Sequence, residues 1–284
     1  MNDKNNISFD DIRNFALRCR HDILDMSTNG GCFTGSAFSC IDILSYVYLK
    51  FLDNSKIKSG DSDRDLFILS KGHAVSAVYS ILAELDFFPK EKLSNYLSID
   101  DYLYWHPNTK ISGIEFHTGS MGHGLSIGIG MALASTRNGF SNKIVVLLGD
   151  GELNEGSVWE SILIANAYNL KNLVVIVDRN SRQANFKTED LIPLDSLEKK
   201  FESFGWTTYS CNGHNLKEID DTFQKINSST IEKPSIIVAN TVRGKGISSL
   251  EDNPKFWFGN FSLDEIKQLK NELTTEINSE KTGD

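Results

Sequence analysis

Four short apolar runs punctuate the chain, at residues 66–69, 144–148, 173–177 and 236–239. They are mostly β-branched and show no polar alternation, the pattern of strands buried on both faces of a parallel sheet. The stretches between them carry helical spacing. Ser8 stands where it would cap a helix that turns Ile12, Phe15, Ala16, Cys19 and Ile23 to one side. Residues 29–36, with three glycines, read as a loop, and Ser39 reads as the cap of a second helix with Ile41, Leu44, Tyr48 and Phe51 inward. Further helices are expected over 74–85, 90–98, 155–169 (Val158, Ile162 and Ala165 on one face) and 197–204, the last stopped by Gly205. Asn215 and Glu218 form a capping box for a helix through Ile226. From Ser262 the spacing of Ile266, Leu269 and Leu273 is helical, and the polar last dozen residues, about 274–284, are expected to fray. No composition shift or proline-rich linker divides the chain. The reading is one α/β domain over 1–284, with five or six parallel strands between two helical layers.

The ends of two strands carry the chemistry. The run 144–148 breaks into Gly149-Asp150-Gly151, and 173–177 breaks into Asp178-Arg179-Asn180. A β-α-β crossover is right-handed and leaves both strands ending at one sheet edge, where open α/β sheets bind ligands. Asp150 and Asn180 are therefore expected within a few ångströms of each other. A carboxylate, an amide oxygen and a nearby backbone carbonyl make a hard, oxygen-only half-shell suited to Mg²⁺. Gly149 and Gly151 would let phosphate approach the backbone, and a helix beginning after Gly151 would offer free N–H groups. The same tripeptide also serves as a plain strand-to-helix turn.

Four glycines, Gly122, Gly124, Gly128 and Gly130, lie in a helical stretch. Each costs about 1 kcal/mol relative to alanine there, so they point to close approach by another element or a ligand. A dinucleotide fingerprint fails, since residue 127 is not glycine and no strand precedes. Residues 100–119 form a long irregular segment holding Tyr102, Tyr104, Trp105, His106, Pro107, His117 and Thr118. Such loops tend to carry function, although the rings could also pack on one another.

Composition narrows the partners. A chain of 284 residues, 40% hydrophobic, can bury a sizeable core. Its net charge of -9 repels phosphate at long range and argues against nonspecific binding to nucleic acid or acidic membranes. Cys19, Cys32, Cys40 and Cys211 have no C-x-x-C spacing, so zinc is not expected and the thiols should be free. Residues 1–8 are polar, and no run approaches the roughly 18 apolar residues of a membrane span. A soluble cytoplasmic protein is expected.

Several motifs, in one order from about Phe9 to Gly259, resemble the transketolase family of thiamine diphosphate enzymes. They are Ser70-Lys71-Gly72-His73-Ala74, His106-Pro107, Thr118-Gly119-Ser120-Met121-Gly122-His123-Gly124, Gly149-Asp150-Gly151-Glu152 with Glu155-Gly156, Asn180 after a gap of 28 residues, and Arg243-Gly244-Lys245-Gly246. The resemblance implies a thiamine diphosphate-binding fold. It implies Mg²⁺ held by Asp150, Asn180 and the Arg182 carbonyl, and a diphosphate touched by His73 and Gly151. Gly119, Ser120 and Met121 would lie along the pyrimidine and thiazolium, and His106 would act in the substrate pocket. Lys71 is expected to be a solvated charge. Glu155 fits either a carboxylate network across a subunit interface, as the resemblance implies, or a first-turn carboxylate favoured by the helix dipole. The activating glutamate of the family belongs to a following pyrimidine-binding domain. The chain is therefore expected to be the amino-terminal half of a split transketolase, with a separate carboxyl-terminal partner in an α2β2 heterotetramer.

Two departures bear on substrate. Gly31-Cys32-Phe33-Thr34-Gly35 and Trp257-Phe258-Gly259 carry phenylalanine where the family pattern has substrate-facing histidines. Removing imidazoles leaves sugar hydroxyls without partners, at about 1–3 kcal/mol for each one buried unpaired. A less hydroxylated or modified sugar is expected, in place of ordinary pentose phosphates. Two alternatives keep the cofactor site: a decarboxylating acyl transferase using a 2-oxo acid, and a non-catalytic cofactor-binding or regulatory partner subunit.

Overall fold

The computed structural model describes residues 6–281, with side chains as far as residue 275. Residues 1–5 of the polar amino terminus and residues 282–284 lie outside the described residues. Helix α1 (Phe9–Met26) starts as the sequence requires. The Ser8 hydroxyl accepts the Asp11 N–H at 3.1 Å, and the Asp11 carboxylate accepts the Ser8 N–H at 2.9 Å. Helix α2 (Thr34–Tyr46) begins well before Ser39, which is not its cap. The turn ahead of it is made by Gly30 and Gly31, both at positive φ, and by a backbone bridge between Cys32 and Gly259. Ser39 is buried mid-helix and donates its hydroxyl to Asp178 at 2.6 Å.

Helix α3 (Asn54–Ser59), strand β1 (Leu66–Leu69) and helix α4 (Val75–Glu84) follow. Residues 90–98 make only a 3₁₀ turn, Lys90–Asn95, because Leu97 takes a left-handed backbone (φ 63°) that stops a helix. Helix α5 (Gly124–Arg137), β2 (Ile144–Gly149), α6 (Gly156–Ala167) and β3 (Leu173–Arg179) supply the expected crossover unit. A short antiparallel hairpin, β4 (Arg182–Gln183) with β5 (Phe186–Lys187), and the turn α7 (Thr188–Leu191) follow. Then come α8 (Leu197–Ser203), β6 (Thr207–Asn212), α9 (Leu216–Ser228), β7 (Ser235–Asn240) and α10 (Leu263–Lys281). Asn215 caps α9 as expected, but the box is not reciprocal: the Glu218 carboxylate accepts the N–H of Asn212 at 2.8 Å instead. Helix α10 continues to Lys281, through most of the tail expected to fray.

The five-stranded sheet has order β1-β2-β3-β7-β6 and every pairing is parallel. Alternate residues feed two cores. Phe67, Leu69, Val145, Leu147 and Ile176 pack beneath α1, α2, α4 and α9. Ile68, Val146, Leu148, Val175 and Val177 pack beneath α5, α6 and α8. Burial on both faces is why these strands read as unbroken apolar runs. Glycine sets how closely α5 meets the sheet. A Cβ on Gly124 would stand 2.4 Å from the Ser70 hydroxyl oxygen, and one on Gly128 would stand 2.5 Å from a Val146 methyl. Gly130 faces open space and needs no such explanation, and Gly122 lies ahead of the helix at φ 83°.

Candidate cofactor and metal site

Four strands deliver chemistry to one edge. β1 ends in Ser70-Lys71-Gly72-His73, β2 in Gly149-Asp150, β3 in Arg179-Asn180 and β7 in Asn240-Thr241. Gly149 is in register with Asp178, so Asp150 and Asn180 leave neighbouring parallel strands side by side. Asp150 is 1% exposed. Its carboxylate accepts the Ser181 N–H at 2.7 Å, the Gly151 N–H at 2.8 Å and Arg179 at 3.0 Å. Burial, with the nearby Asp178 charge, pushes its carboxyl up to about 6 despite Arg179. The Asn180 amide oxygen accepts the Arg182 N–H at 3.0 Å, and its Nδ2 donates to Asp178 at 2.9 Å. Ser181, at φ 59°, turns this segment back so that its N–H ties the Asn180 loop to Asp150.

Some expectations change in detail. The residues after Gly151 form a single 3₁₀ turn, Gly151–Asn154, and α6 starts only at Gly156. The Glu152 side chain folds back to accept the Gly149 N–H at 3.1 Å and the Gly122 N–H at 2.8 Å, and it also accepts Ser70 Oγ–H. That contact draws the chain off a continuous helix. The space beside Gly151 is taken by Gln183, 2.8 Å from where a Cβ would stand, and a Cβ on Gly149 would meet nothing closer than Lys71 at 3.7 Å. Lys71 is not a solvated charge: it is 1% exposed and ion-paired with the fully buried Asp178. A charge next to a glycine and a histidine at a strand end reads as surface, and only the tertiary partner Asp178 reveals otherwise.

His73 sits at the same edge, and burial with the neighbouring Lys71 ammonium pushes it down to about 3, so it is neutral near pH 7. Its ring lies 5.3 Å from Phe33 and 6.5 Å from Trp257, centroid to centroid. Phe33 meets Trp257 at 5.0 Å and Phe258 at 5.2 Å, and Trp105 meets Phe258 at 6.4 Å. Phe33 and Phe258 thus join one aromatic wall. His106 comes to the same place: the missing Cβ of Gly119 leaves room for its ring, 2.9 Å away, and Gly119 backbone abuts Gly72. Burial lowers the proton affinity of His106. Ser120 and Met121 are exposed beside it. Glu155 is exposed at the head of α6, and its Cβ fills the space that Gly122 leaves empty.

The sequence offers Arg243 only as part of a motif; its burial and its unused donors emerge in the structure. Arg243 is 2% exposed; its Nη1 donates to the Ala184 carbonyl, while Nε and Nη2 have no hydrogen-bond partner among the described residues. Burial and the Arg182 charge lower its proton affinity, and Asp150 is near enough to act in the other direction. A buried guanidinium with unused donors is costly unless an anion meets it. Beside it stands a buried carboxylate with an amide oxygen on the adjoining strand. This donor set fits a phosphate group bridged by a divalent cation.

Residues 11–281 match the family model described as transketolase, thiamine diphosphate binding domain. The chain belongs to the transketolase family. It is 37% identical over 274 residues to an apulose-4-phosphate transketolase subunit of Actinobacillus succinogenes, covering 95% of this chain and 99% of that one. It is 35% identical over 218 residues to the 6-deoxy-6-sulfo-D-fructose transketolase subunit SqwG of Clostridium sp., covering 76% and 79%. The crystal structure of transketolase from Campylobacter jejuni superposes with a TM-score of 0.81 at 26% identity, over 94% of this chain and 42% of that one. The chain thus spans less than half the length of that single-chain transketolase, yet it matches nearly the full length of the Actinobacillus subunit.

Proposed function

We propose that this chain is the cofactor- and metal-binding subunit of a two-subunit transketolase that moves a two-carbon ketol unit between modified sugars. The carrying observation is the meeting of Asp150, Asn180 and the half-partnered Arg243 at one sheet edge. Asp150, Asn180 and the Arg182 carbonyl hold Mg²⁺ in this reading. His73, Gly151 and Arg243 hold the diphosphate, and Gly119, Ser120 and Met121 line the ring end. Thiamine diphosphate, when bound, supplies the carbanion-stabilising chemistry. The chain's own residues bind, orient and exclude water. Neutral His73 and His106 can each donate and accept one hydrogen bond near neutral pH, which suits them to steady a substrate hydroxyl or carry its proton.

The substrate reading rests on the wall of Phe33, Trp105, Trp257 and Phe258, which presents rings in place of imidazoles. Such a wall favours a sugar with fewer hydroxyls on that side, and the names of the two subunit relatives, with apulose 4-phosphate and a 6-deoxy-6-sulfo sugar, point the same way. A separate pyrimidine-binding subunit supplies the activating glutamate. The outward face of α6, with exposed Leu163, Ile164 and Tyr168, suits pairing of two copies in an α2β2 assembly, with Glu155 at its margin. All four cysteines are buried as free thiols, in keeping with the cytoplasm, and no helix among the described residues is long and apolar enough to cross a membrane.

Co-expression with the candidate second subunit, followed by a screen of ketose phosphate donors and aldose acceptors with Mg²⁺ and thiamine diphosphate, tests this function. Ketol transfer to modified sugars by the assembled pair is expected. Transfer by this chain alone, or ordinary turnover of xylulose 5-phosphate with ribose 5-phosphate, contradicts it.

A further inference from the structure

Asp178 belongs to no part of the site assigned above, yet its carboxylate accepts four hydrogen bonds, as many as Asp150. It lies on β3, fully buried, one residue from Arg179 and two from Asn180. One oxygen accepts from Lys71 Nζ, from Ser39 Oγ at 2.6 Å and from Asn180 Nδ2 at 2.9 Å; the other accepts from Thr241 Oγ. The donors come from α2, from the ends of β1 and β7, and from β3's own continuation. Lys71 is held in turn by the Ser36 carbonyl at 3.1 Å, so the ammonium and the carboxylate form a closed buried pair.

An asparagine side chain has a donor end and an acceptor end, and a half-turn about its last bond exchanges them. Only the oxygen can face a cation. The Asp178 oxygen that already accepts from Lys71 and Ser39 takes the NH2 end of Asn180, which leaves Oδ1 on the other side, where it receives the Arg182 N–H. With Oδ1 and the Asp150 carboxylate on adjoining strand ends, the turn of the amide decides whether the half-shell is two oxygens or one.

We infer that Asp178, itself held in place by Lys71, Ser39 and Thr241, is a positioning residue that fixes the Asn180 amide with its oxygen toward the divalent cation. This rests on the reading of Asn180 as a metal ligand, and the arms of the test separate the two. The full-length chain is titrated with Mn²⁺ in the presence of thiamine diphosphate, and free Mn²⁺ is followed by electron paramagnetic resonance. Asn180→Ala tests the ligand reading; unchanged affinity there, or no Mn²⁺ bound by the unaltered chain, removes that reading and the inference with it. Asp178→Asn presents an amide that can turn either way, and weakening by about tenfold or more is expected, the usual cost of losing a partner that orients a metal ligand. The exchange Asp178→Asn with Asn180→Asp puts a carboxylate, which has no wrong end, at the ligand position. It should recover affinity to within about threefold of the unaltered chain on the same scale. Should Asp178→Asn fail to fold with Lys71 unpaired, Lys71→Met with Asp178→Asn removes both charges and is expected to weaken Mn²⁺ equally. Asn180→Ala weak with Asp178→Asn unchanged, or an exchange variant no better than Asp178→Asn alone, overturns the inference while leaving the ligand reading standing.

Discussion

Arg243 carries a stability cost that its ligand should remove. Its Nε and Nη2 are buried without a hydrogen-bond partner among the described residues, so the cofactor-free chain holds an under-satisfied cation. Arg243→Met should therefore leave the thermal midpoint of the cofactor-free chain unchanged or raise it. It should weaken thiamine diphosphate binding by roughly 1.5–3 kcal/mol, the range for a hydrogen bond to a charged group. Calorimetric titration beside a melting curve reads both; a lower midpoint with unaltered affinity would make Arg243 a structural residue only. His73 gives a pH dependence of defined sign. Its proton affinity in the fold lies near 3, below the ordinary 6.5. The unfolded chain thus binds more protons between those values, and the stability tied to neutral His73 is complete above about 6.5 and lost as pH falls toward 3. Urea midpoints measured from pH 7 to 5 should fall, and less steeply in His73→Asn.

At the scale of elements, the closeness of α5 to the sheet is a strict requirement. Gly128 has a Val146 methyl 2.5 Å from where its Cβ would stand, and both belong to elements held at their other ends. Gly128→Ala should cost about 1–3 kcal/mol by overpacking, and Gly130→Ala, facing open space, should be neutral or stabilising. Chemical denaturation of the two variants checks the contrast. The same elements show what the sequence makes legible. β1, β2, β3 and β7 are readable because both their faces are buried, which leaves unbroken apolar runs. β6 is not: it is an edge strand whose Thr207, Thr208, Tyr209 and Ser210 are partly or fully exposed, so its pattern looks like a turn. The hairpin of β4 and β5 is too short to leave a period. Asp150 and Asn180 can be placed at one edge from crossover handedness alone. The burial of Lys71 and Arg243 cannot be read that way, because it depends on partners from distant segments, Asp178 for one and the bare side of Gly35 for the other. Ser39 fails as a cap because its hydroxyl serves Asp178 across the fold, a use that local spacing does not encode.

For the molecule as a whole, charge is divided between surface and site. The chain carries a net -9, yet Arg243, Lys71 and Arg179 converge where four strands end. Long-range repulsion of polyanions and short-range capture of one diphosphate are compatible, since the first acts through solvent and the second in a dry, low-dielectric edge. The aromatic wall, the neutral histidines and the Asp150–Asn180 pair share that edge, so in the proposed reading substrate choice and cofactor binding are properties of one surface. The most direct measurement is the phosphorus hyperfine coupling of Mn²⁺ bound to the chain with thiamine diphosphate. A direct ³¹P coupling in the unaltered chain, lost with the bound metal in Asp150→Ala, is the expected result; Mn²⁺ bound without phosphorus coupling, or coupling that persists in Asp150→Ala, would contradict a cation held between Asp150 and the diphosphate.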